Sequence, residues 1–377
     1  MLQTDPTQCN KQALFAFRVD SSLTIGTGHV ERCLTLANAL RKQGAQCKFI
    51  CRDHFGNITK KIQLEGHSLT LLPLKSNSPK TSGASGYASW LGANIIDDAV
   101  DTANYLKSTQ PSWLIVDHYA IDEHWECRIK NTPGIKIMVI DGQAIRKHSC
   151  DLLLDPTFST EPLERWKGLV PQDCKMFVGL HHALLRPEFT EARSTMHRKA
   201  GGVRRIFIGF GGVDKPNTSA TALDAIISLD KNDIHTDIVV GAANIHIKEL
   251  QKKCREFKDV TLHIEATNIA NLMSAADFAI GGGGGMLLER CYLGLPSITV
   301  SIAQNQTELC KAMDRLGASI HLGNADQVGP CEIKSVINTL MNDRSLLMKM
   351  RTKSKDLMKP SGSSLINALL GNKNEII

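Results

Sequence analysis

Two α/β domains of the Rossmann type in tandem, each with a parallel sheet, are what this sequence predicts. Three observations carry that expectation. Short apolar runs alternate with segments of helical hydrophobic spacing along almost the whole chain, and such a βαβα rhythm calls for a parallel sheet covered on both faces. The 377 residues exceed what one hydrophobic core usually serves. Two glycine-rich turns, one at Gly26 and Gly28 and one at 281–285, lie in different halves, each after an apolar run.

The elements follow in order. Residues 1–12 form a polar tail without an apolar core, expected to be neither a signal peptide nor an anchor. The first domain is expected over 13–195, with strands at 13–19, 48–51, 68–72, 113–117, 135–141 and 152–155. Between the first two strands, Val30, Cys33, Leu34, Ala37 and Leu40 recur on one helical face. Residues 76–86, rich in Ser, Gly and Lys, read as a mobile loop. The polar, basic stretch 190–203, with Gly201 and Gly202, reads as the linker region. The second domain is expected over 203–360, with strands at 205–209, 237–241, 261–264, 278–281 and 297–301, and 361–377 as a C-terminal helix or tail.

Composition narrows the function. Hydrophobic residues make up 42% and charged residues 22%, the balance of an ordinary soluble globular protein. The net charge is 44 − 38 = +6 and is not gathered into basic runs. That suits a phosphorylated small ligand and argues against nucleic acid or membrane as partner. No apolar run reaches membrane-spanning length. The eleven cysteines include no CxxC pair, and Cys47 and Cys51 are separated by three residues inside an expected strand. That pattern predicts free thiols and a cytoplasmic protein. His118, His124, His148, His181, His182 and His263 show no metal-binding spacing, so no metal and no cofactor are expected.

In sheets of this kind, ligands bind beyond the carboxyl ends of the strands. The informative residues fall there. Residues 20–32 read Asp-Ser-Ser-Leu-Thr-Ile-Gly-Thr-Gly-His-Val-Glu-Arg and pass from a strand into a helix. Gly26 and Gly28 let the backbone approach a ligand, and His29 can exchange a proton near neutral pH. The same pattern also fits a helix-capping histidine after a tight turn. Asp117, His118 and Tyr119 end the fourth strand, and burying three polar groups there without a use is costly. The alternative is that Asp117 caps the next helix and Tyr119 packs sideways. Asp141 follows the fifth strand. Gly211, Gly212 and Asp214 follow the first strand of the second half, where backbone N–H groups can wrap a phosphate.

The 281–285 turn is the stronger signal, because it exposes backbone donors and a helix end to a diphosphate. Glu289, one helical turn further on, is placed to grip ribose hydroxyls, or else is a first-turn acid favoured by the helix dipole. A Walker loop is absent. All these groups point to one interdomain cleft and a nucleotide-type ligand.

At these residues the chain resembles a known family. Arg18-x-Asp20, Gly26-x-Gly28-His29, Trp90-Leu91-Gly92, and residues 113–119, 150–155, 183–189, 211–214 and 289–296 follow its order of motifs. The family is the UDP-2,4-diacetamido-2,4,6-trideoxy-β-L-altropyranose hydrolases of pseudaminic acid biosynthesis, and the resemblance covers roughly residues 13–345.

The resemblance implies the GT-B fold and cleavage of the C1–O bond between sugar and UDP by water. It also implies inversion and no metal. Carried over, His29 orients or deprotonates the water, Tyr119 positions it, Glu289 holds the ribose and the 281–285 turn the diphosphate. The expected catalytic set is then His29, Tyr119 and Asp117. The expected substrate contacts are Arg18, Asp20, Gly26, Gly28, His118, Gly211, Gly212, Gly283, Gly284, Gly285, Met286, Glu289 and Asn305. The partner is a UDP-activated diacetamido-trideoxy sugar, and a monomer is expected.

The chain departs from the family pattern at Gly285, Met286 and Leu287, where many members carry Ser or Thr. It departs again at Asp141-Gly142 and Asp155-Pro156-Thr157. Two other readings of the same fold are a UDP-sugar glycosyltransferase and a nucleotide-sugar-binding protein without turnover.

Overall fold

A computed structural model describes residues 12–76, 86–196, 202–229, 231, 233–359 and 364–371. The expected loop at 76–86 lies outside the described residues except for its two ends. So do most of the polar N-terminal tail and the middle of the expected linker.

The first sheet and its helices run β1 (Leu14–Val19), α1 (Gly28–Lys42), β2 (Gln46–Arg52), α2 (Thr59–Leu64), β3 (Ser68–Leu72), α3 (Ile95–Thr109), β4 (Trp113–Asp117), α4 (Glu123–Ile129), β5 (Lys136–Ile140), β6 (Leu152–Asp155) and β7 (Lys175–Val178). After α5 (Pro187–Thr195), the second set runs β8 (Arg205–Gly209), α6 (Thr218–Ile227), β9 (His235–Val240), α7 (Ile247–Arg255), β10 (Val260–Ile264), α8 (Ile269–Ala275), β11 (Phe278–Gly281), α9 (Gly285–Tyr292), β12 (Ser297–Ser301), α10 (Gln304–Arg315) and β13 (Ser319–Asn324). Three helices close the chain: α11 (Pro330–Asn342), α12 (Arg344–Leu357) and α13 (Ser364–Leu370).

The first sheet has seven strands in the order β3-β2-β1-β4-β5-β6-β7, and the second has six in the order β10-β9-β8-β11-β12-β13. Every pairing is parallel. Both orders reverse direction once, between β1 and β4 and between β8 and β11. Ligands of open parallel sheets bind at such switch points. His29 follows β1 and Asp117 ends β4. Gly211 follows β8, and the glycine run follows β11. The topology therefore gathers the sequence's most informative residues at two switch points.

Strand alternation divides each core. Phe15, Phe17 and Val19 face one layer with Phe49 and Ile115, while Ala16 faces the other with Ile50, Leu114 and Val116. Phe17 pairs in register with Phe49, and their rings stack at 4.7 Å. The second sheet does the same, with Ile206 and Ile208 on one face and Phe207 on the other.

Two elements cross over. Helix α5, expected within the first domain, packs on the second: Phe189 and Ala192 are buried with Leu287 and Tyr292 of α9. Arg193 pins it by donating to the Tyr292 and Met358 carbonyls. Helix α13 returns to the first domain, where Leu365 and Leu369 join the core beneath β1. Among the described residues ten cysteines are free, and no helix is long and apolar enough to cross a membrane.

Candidate functional site

The loop before α1 is folded by its own bonds. Gly26 takes φ +82°, a conformation rarely open to residues with a β-carbon, and its N–H donates to the Ser22 carbonyl at 2.9 Å. The Ser22 hydroxyl accepts from the Thr24 and Ile25 N–H groups. Helix α1 then starts at Gly28, and no side chain caps it. His29 thus stands on its first turn, only 6% exposed.

The β1–β4 pairing sets Val19 opposite Asp117, which brings the carboxylate to the histidine. His29 Nδ1 lies 2.6 Å from Asp117 Oδ1. A carboxylate only accepts, so the proton sits on Nδ1 and Nε2 is left as the ring's basic nitrogen. Arg32, on the same helix face as His29, pairs with both Asp117 oxygens, and the Cys33 thiol donates from 3.7 Å. Burial opposes ionisation of Asp117, but Arg32 and His29 outweigh it and hold the carboxyl well below the usual range.

Aromatic rings wall this pair. The Tyr119 ring meets His29 edge-on at 4.8 Å, and Trp90 approaches His29 at 6.1 Å. Tyr87 packs against both Tyr119 and Trp90. Burial raises the Tyr119 pKa, so its hydroxyl stays protonated and can donate.

The Arg146 guanidinium lies over the Tyr119 ring at 5.2 Å. Its Nη2 bonds Asp141, whose same oxygen faces His148 Nε2 at 3.1 Å, and His148 Nδ1 donates to Glu126 at 2.7 Å. Burial works against the charged imidazole, but Asp141 and Glu126 raise His148 to about 9.

A testable consequence follows from that shift. A folded pKa above the unfolded one, about 6.5, gives stability that is complete below the unfolded value and is lost as pH climbs through the folded one. The thermal midpoint is therefore expected to fall between about pH 6.5 and pH 9, and His148→Asn should remove that part of the slope. Equal slopes in both proteins would contradict the assignment.

Three expected substrate contacts lie elsewhere. Arg18 and Asp20 are fully buried. Arg18 binds Asp20 at 2.7 Å and grips Asp98 through two nitrogens, and Arg52 and the Trp125 indole also reach Asp98. Strand alternation explains this, since residues 16, 18 and 20 face away from residues 15, 17 and 19. His118 turns the same way. Its Nδ1 accepts the Ala120 N–H, so Nε2 carries the proton and faces Asp20 Oδ2 at 3.3 Å. This network is buried beneath the β1–β4 switch point.

The second domain meets the first at Thr27. A β-carbon on Gly212 would stand 2.5 Å from Thr27 Oγ1, so the turn after β8 lies against the start of α1. The Asp214 carboxylate accepts from the Thr218 and Ser219 N–H groups and so occupies the start of α6 itself. That helix end is closed to an anion.

The α9 end differs. Its N-cap is Gly284, and no side chain caps it. Within the run, the glycines serve two purposes. A β-carbon on Gly281 would sit 2.3 Å from the Gly209 carbonyl, and one on Gly283 would sit 2.3 Å from Cys310 Sγ. These two are required by packing. Gly285 has nothing within 4 Å, and Gly284 meets only Gln306 at 3.7 Å, so both face open space. Gly283→Ala is expected to destabilise by about 1–3 kcal/mol through overpacking, and Gly285→Ala by less than about 0.5 kcal/mol. Denaturant melts measure both, and equal effects would contradict this division.

Gln306 holds the turn by accepting the Gly283 N–H at 3.0 Å, and Arg290 does so by donating to the Gly282 carbonyl. Asn305 precedes Gln306, half-buried, on the first turn of α10. Met286 is half-buried beside Gly209. Glu289 is 8% exposed and accepts a two-point ion pair from Arg186, with Nε to Oε1 at 2.9 Å and Nη2 to Oε2 at 3.0 Å.

Arg32, Tyr87, Arg146, Arg186 and Gln306 were not singled out from the sequence. Arg32 lies three residues after His29, the spacing of one helix face, and that signal was readable. Among the described residues, no group of three or more His, Cys, Asp or Glu is arranged to hold a metal ion.

Comparison with known proteins fits this geometry. Residues 215–360 match the model of a family described as a protein of unknown function (DUF354). The chain is 29% identical over 305 residues to the UDP-2,4-diacetamido-2,4,6-trideoxy-β-L-altropyranose hydrolase of Campylobacter jejuni, covering 81% of this chain and 97% of that protein. The resemblance read from the motifs is thus borne out. Among solved structures, MurG of Acinetobacter baumannii superposes with a TM-score of 0.62 at 16% identity, covering 96% of this chain and 99% of that one. The calicheamicin glycosyltransferase CalG4 superposes with a TM-score of 0.64 at 13% identity, covering 97% and 100%. These likenesses show the fold, which is GT-B.

Proposed function

We propose that this protein hydrolyses a UDP-linked sugar of the 2,4-diacetamido-2,4,6-trideoxy-β-L-altropyranose type to UDP and free sugar, a step of pseudaminic acid biosynthesis. The observation that carries the reading is the His29–Asp117 pair. It is a basic imidazole nitrogen, fixed by a buried carboxylate, at the switch point of one sheet and facing the other domain through Thr27 and Gly212. The name of the Campylobacter jejuni relative supplies the substrate class.

The chemistry suits these groups. UDP leaves readily, so no carboxylic acid is needed to protonate it, unlike ordinary glycoside hydrolysis. A water molecule held at His29 Nε2 gives up a proton as its oxygen attacks C1. The C1–O bond breaks, and its electron pair goes to the β-phosphate, met by the uncapped N–H groups of α9. On this reading the water attacks C1 from the face opposite UDP, the course the family resemblance implies, and the sugar is released with inversion. Tyr119 supplies a hydroxyl beside the water. No metal takes part in this scheme.

Two measurements test the reading. UDP should appear from the UDP-sugar in the absence of any acceptor, and the first sugar seen by proton NMR should be the inverted anomer. UDP release only when an acceptor alcohol is added would instead make the protein a transferase.

A further inference from the structure

We propose that Arg290 is a buried counter-charge for the ligand: its guanidinium lies beneath the 281–285 turn without an anion of its own, and a bound nucleoside diphosphate supplies the missing partner. The proposal rests on the reading that the second domain holds UDP.

Among the described residues three arginines are fully buried, Arg18, Arg52 and Arg290. Arg18 and Arg52 each bond the Asp98 carboxylate. Arg290 makes no ion pair among the described residues. Its Nε donates to Ser297 Oγ at 3.1 Å and its Nη2 to the Gly282 carbonyl at 2.6 Å, while Nη1 has no acceptor. The neighbouring Glu289 is already engaged by Arg186 at both oxygens. Burial pushes the Arg290 guanidinium down to about 10, which leaves it charged at neutral pH. Holding an unpaired cation away from water is costly, and a neutral donor would brace the Gly282 carbonyl at lower cost. The two hydrogen bonds therefore account for the donor and not for the charge.

The position of the charge matches the turn. A β-carbon on Gly281 would stand 2.5 Å from Arg290 Nη1, so the first glycine of the run makes room for the guanidinium. On the other side of the turn α9 starts without a side-chain cap, and Gly284 and Gly285 face open space. An anion at those N–H groups has the guanidinium across one layer of backbone, with protein and not water between them. Salt screens such a buried charge far less than an exposed one. Arg290 acts through the turn and does not touch the ligand, so it is a positioning residue. The charge that gathers on the diphosphate as the C1–O bond breaks meets the same field.

The test is calorimetric titration of UDP into the wild type, Arg290→Lys, Arg290→Gln and Ser297→Asp, with the melting midpoint of each unliganded protein. Arg290→Gln keeps a donor for the turn but removes the charge, and should weaken UDP binding by about tenfold or more. Arg290→Lys keeps the charge and should stay within about threefold of the wild type. Ser297→Asp leaves Arg290 in place and gives it an internal carboxylate. It should hold or raise the melting midpoint yet weaken UDP binding by about tenfold, a combination that a purely structural arginine does not produce. Wild-type affinity in Arg290→Gln, or equal losses in Arg290→Lys and Arg290→Gln, overturns the proposal. Should Arg290→Gln fail to fold, wild-type affinity in Ser297→Asp overturns it instead. If the wild type does not bind UDP, the UDP reading itself fails, an outcome distinct from variants that bind alike.

Discussion

Replacing His29 by alanine is expected to cut turnover by about 10²–10⁴-fold, the usual contribution of a positioned general base, while UDP affinity stays within about twofold. The division follows from the two-domain layout. His29 sits on the first turn of α1 at the β1–β4 switch point, whereas the uncapped α9 and the Arg186–Glu289 pair belong to the second domain. On the proposed reading, losing the imidazole leaves the second domain's contacts to UDP intact. It also removes the Nδ1 donor from Asp117, but Arg32 still pairs with both oxygens of that carboxylate, so the fold should survive. Single-turnover UDP release measures the rate and calorimetry the affinity. Near-normal turnover in His29→Ala would show that another group activates the water. Parallel loss of rate and UDP binding would show that His29 contacts the nucleotide.

The second large effect is expected from Asp117→Asn, about 10³–10⁴-fold in kcat at nearly constant shape. The carboxylate holds the His29 proton on Nδ1. An amide can present its NH₂ there instead, which favours the other tautomer and takes the lone pair away from Nε2. This variant should also be less stable, by about 1–3 kcal/mol, because Asp117 is fully buried and the partly exposed Arg32 loses its anionic partner. A midpoint shift from circular dichroism and a rate from UDP release separate the two effects. A double variant with His29→Ala should lose little further activity, since both changes disable one unit. Additive losses would mean that Asp117 acts independently of the histidine.

The strands buried on both faces were legible because they are near-continuous apolar runs, such as Trp113–Asp117 and Phe278–Gly281. The two missed strands lie at sheet edges. Strand β7 has four residues beginning with lysine, and β13 carries a serine, a histidine, a glycine and an asparagine with mostly partial burial. An edge strand has one neighbour and one shielded side, so it needs less apolar character.

The site was legible as residue types at strand ends, not as partners. His29 and Asp117 are 88 positions apart, and Arg186 and Glu289 are 103 apart. Each pairing exists only because of strand order or helix docking. Arg18 and Asp20 show the converse. They belong to the most motif-like stretch of the chain, yet alternation along β1 turns them into a buried ion network with Asp98 and Arg52. Side-chain parity in the strand carried that information.

Incubation of the UDP-sugar in water enriched in oxygen-18, followed by mass spectrometry of both products, tests the central claim most directly. Attack of a His29-activated water at C1 predicts label in the free sugar and none in UDP. Label in the UDP phosphate would place the attack at phosphorus and contradict the account.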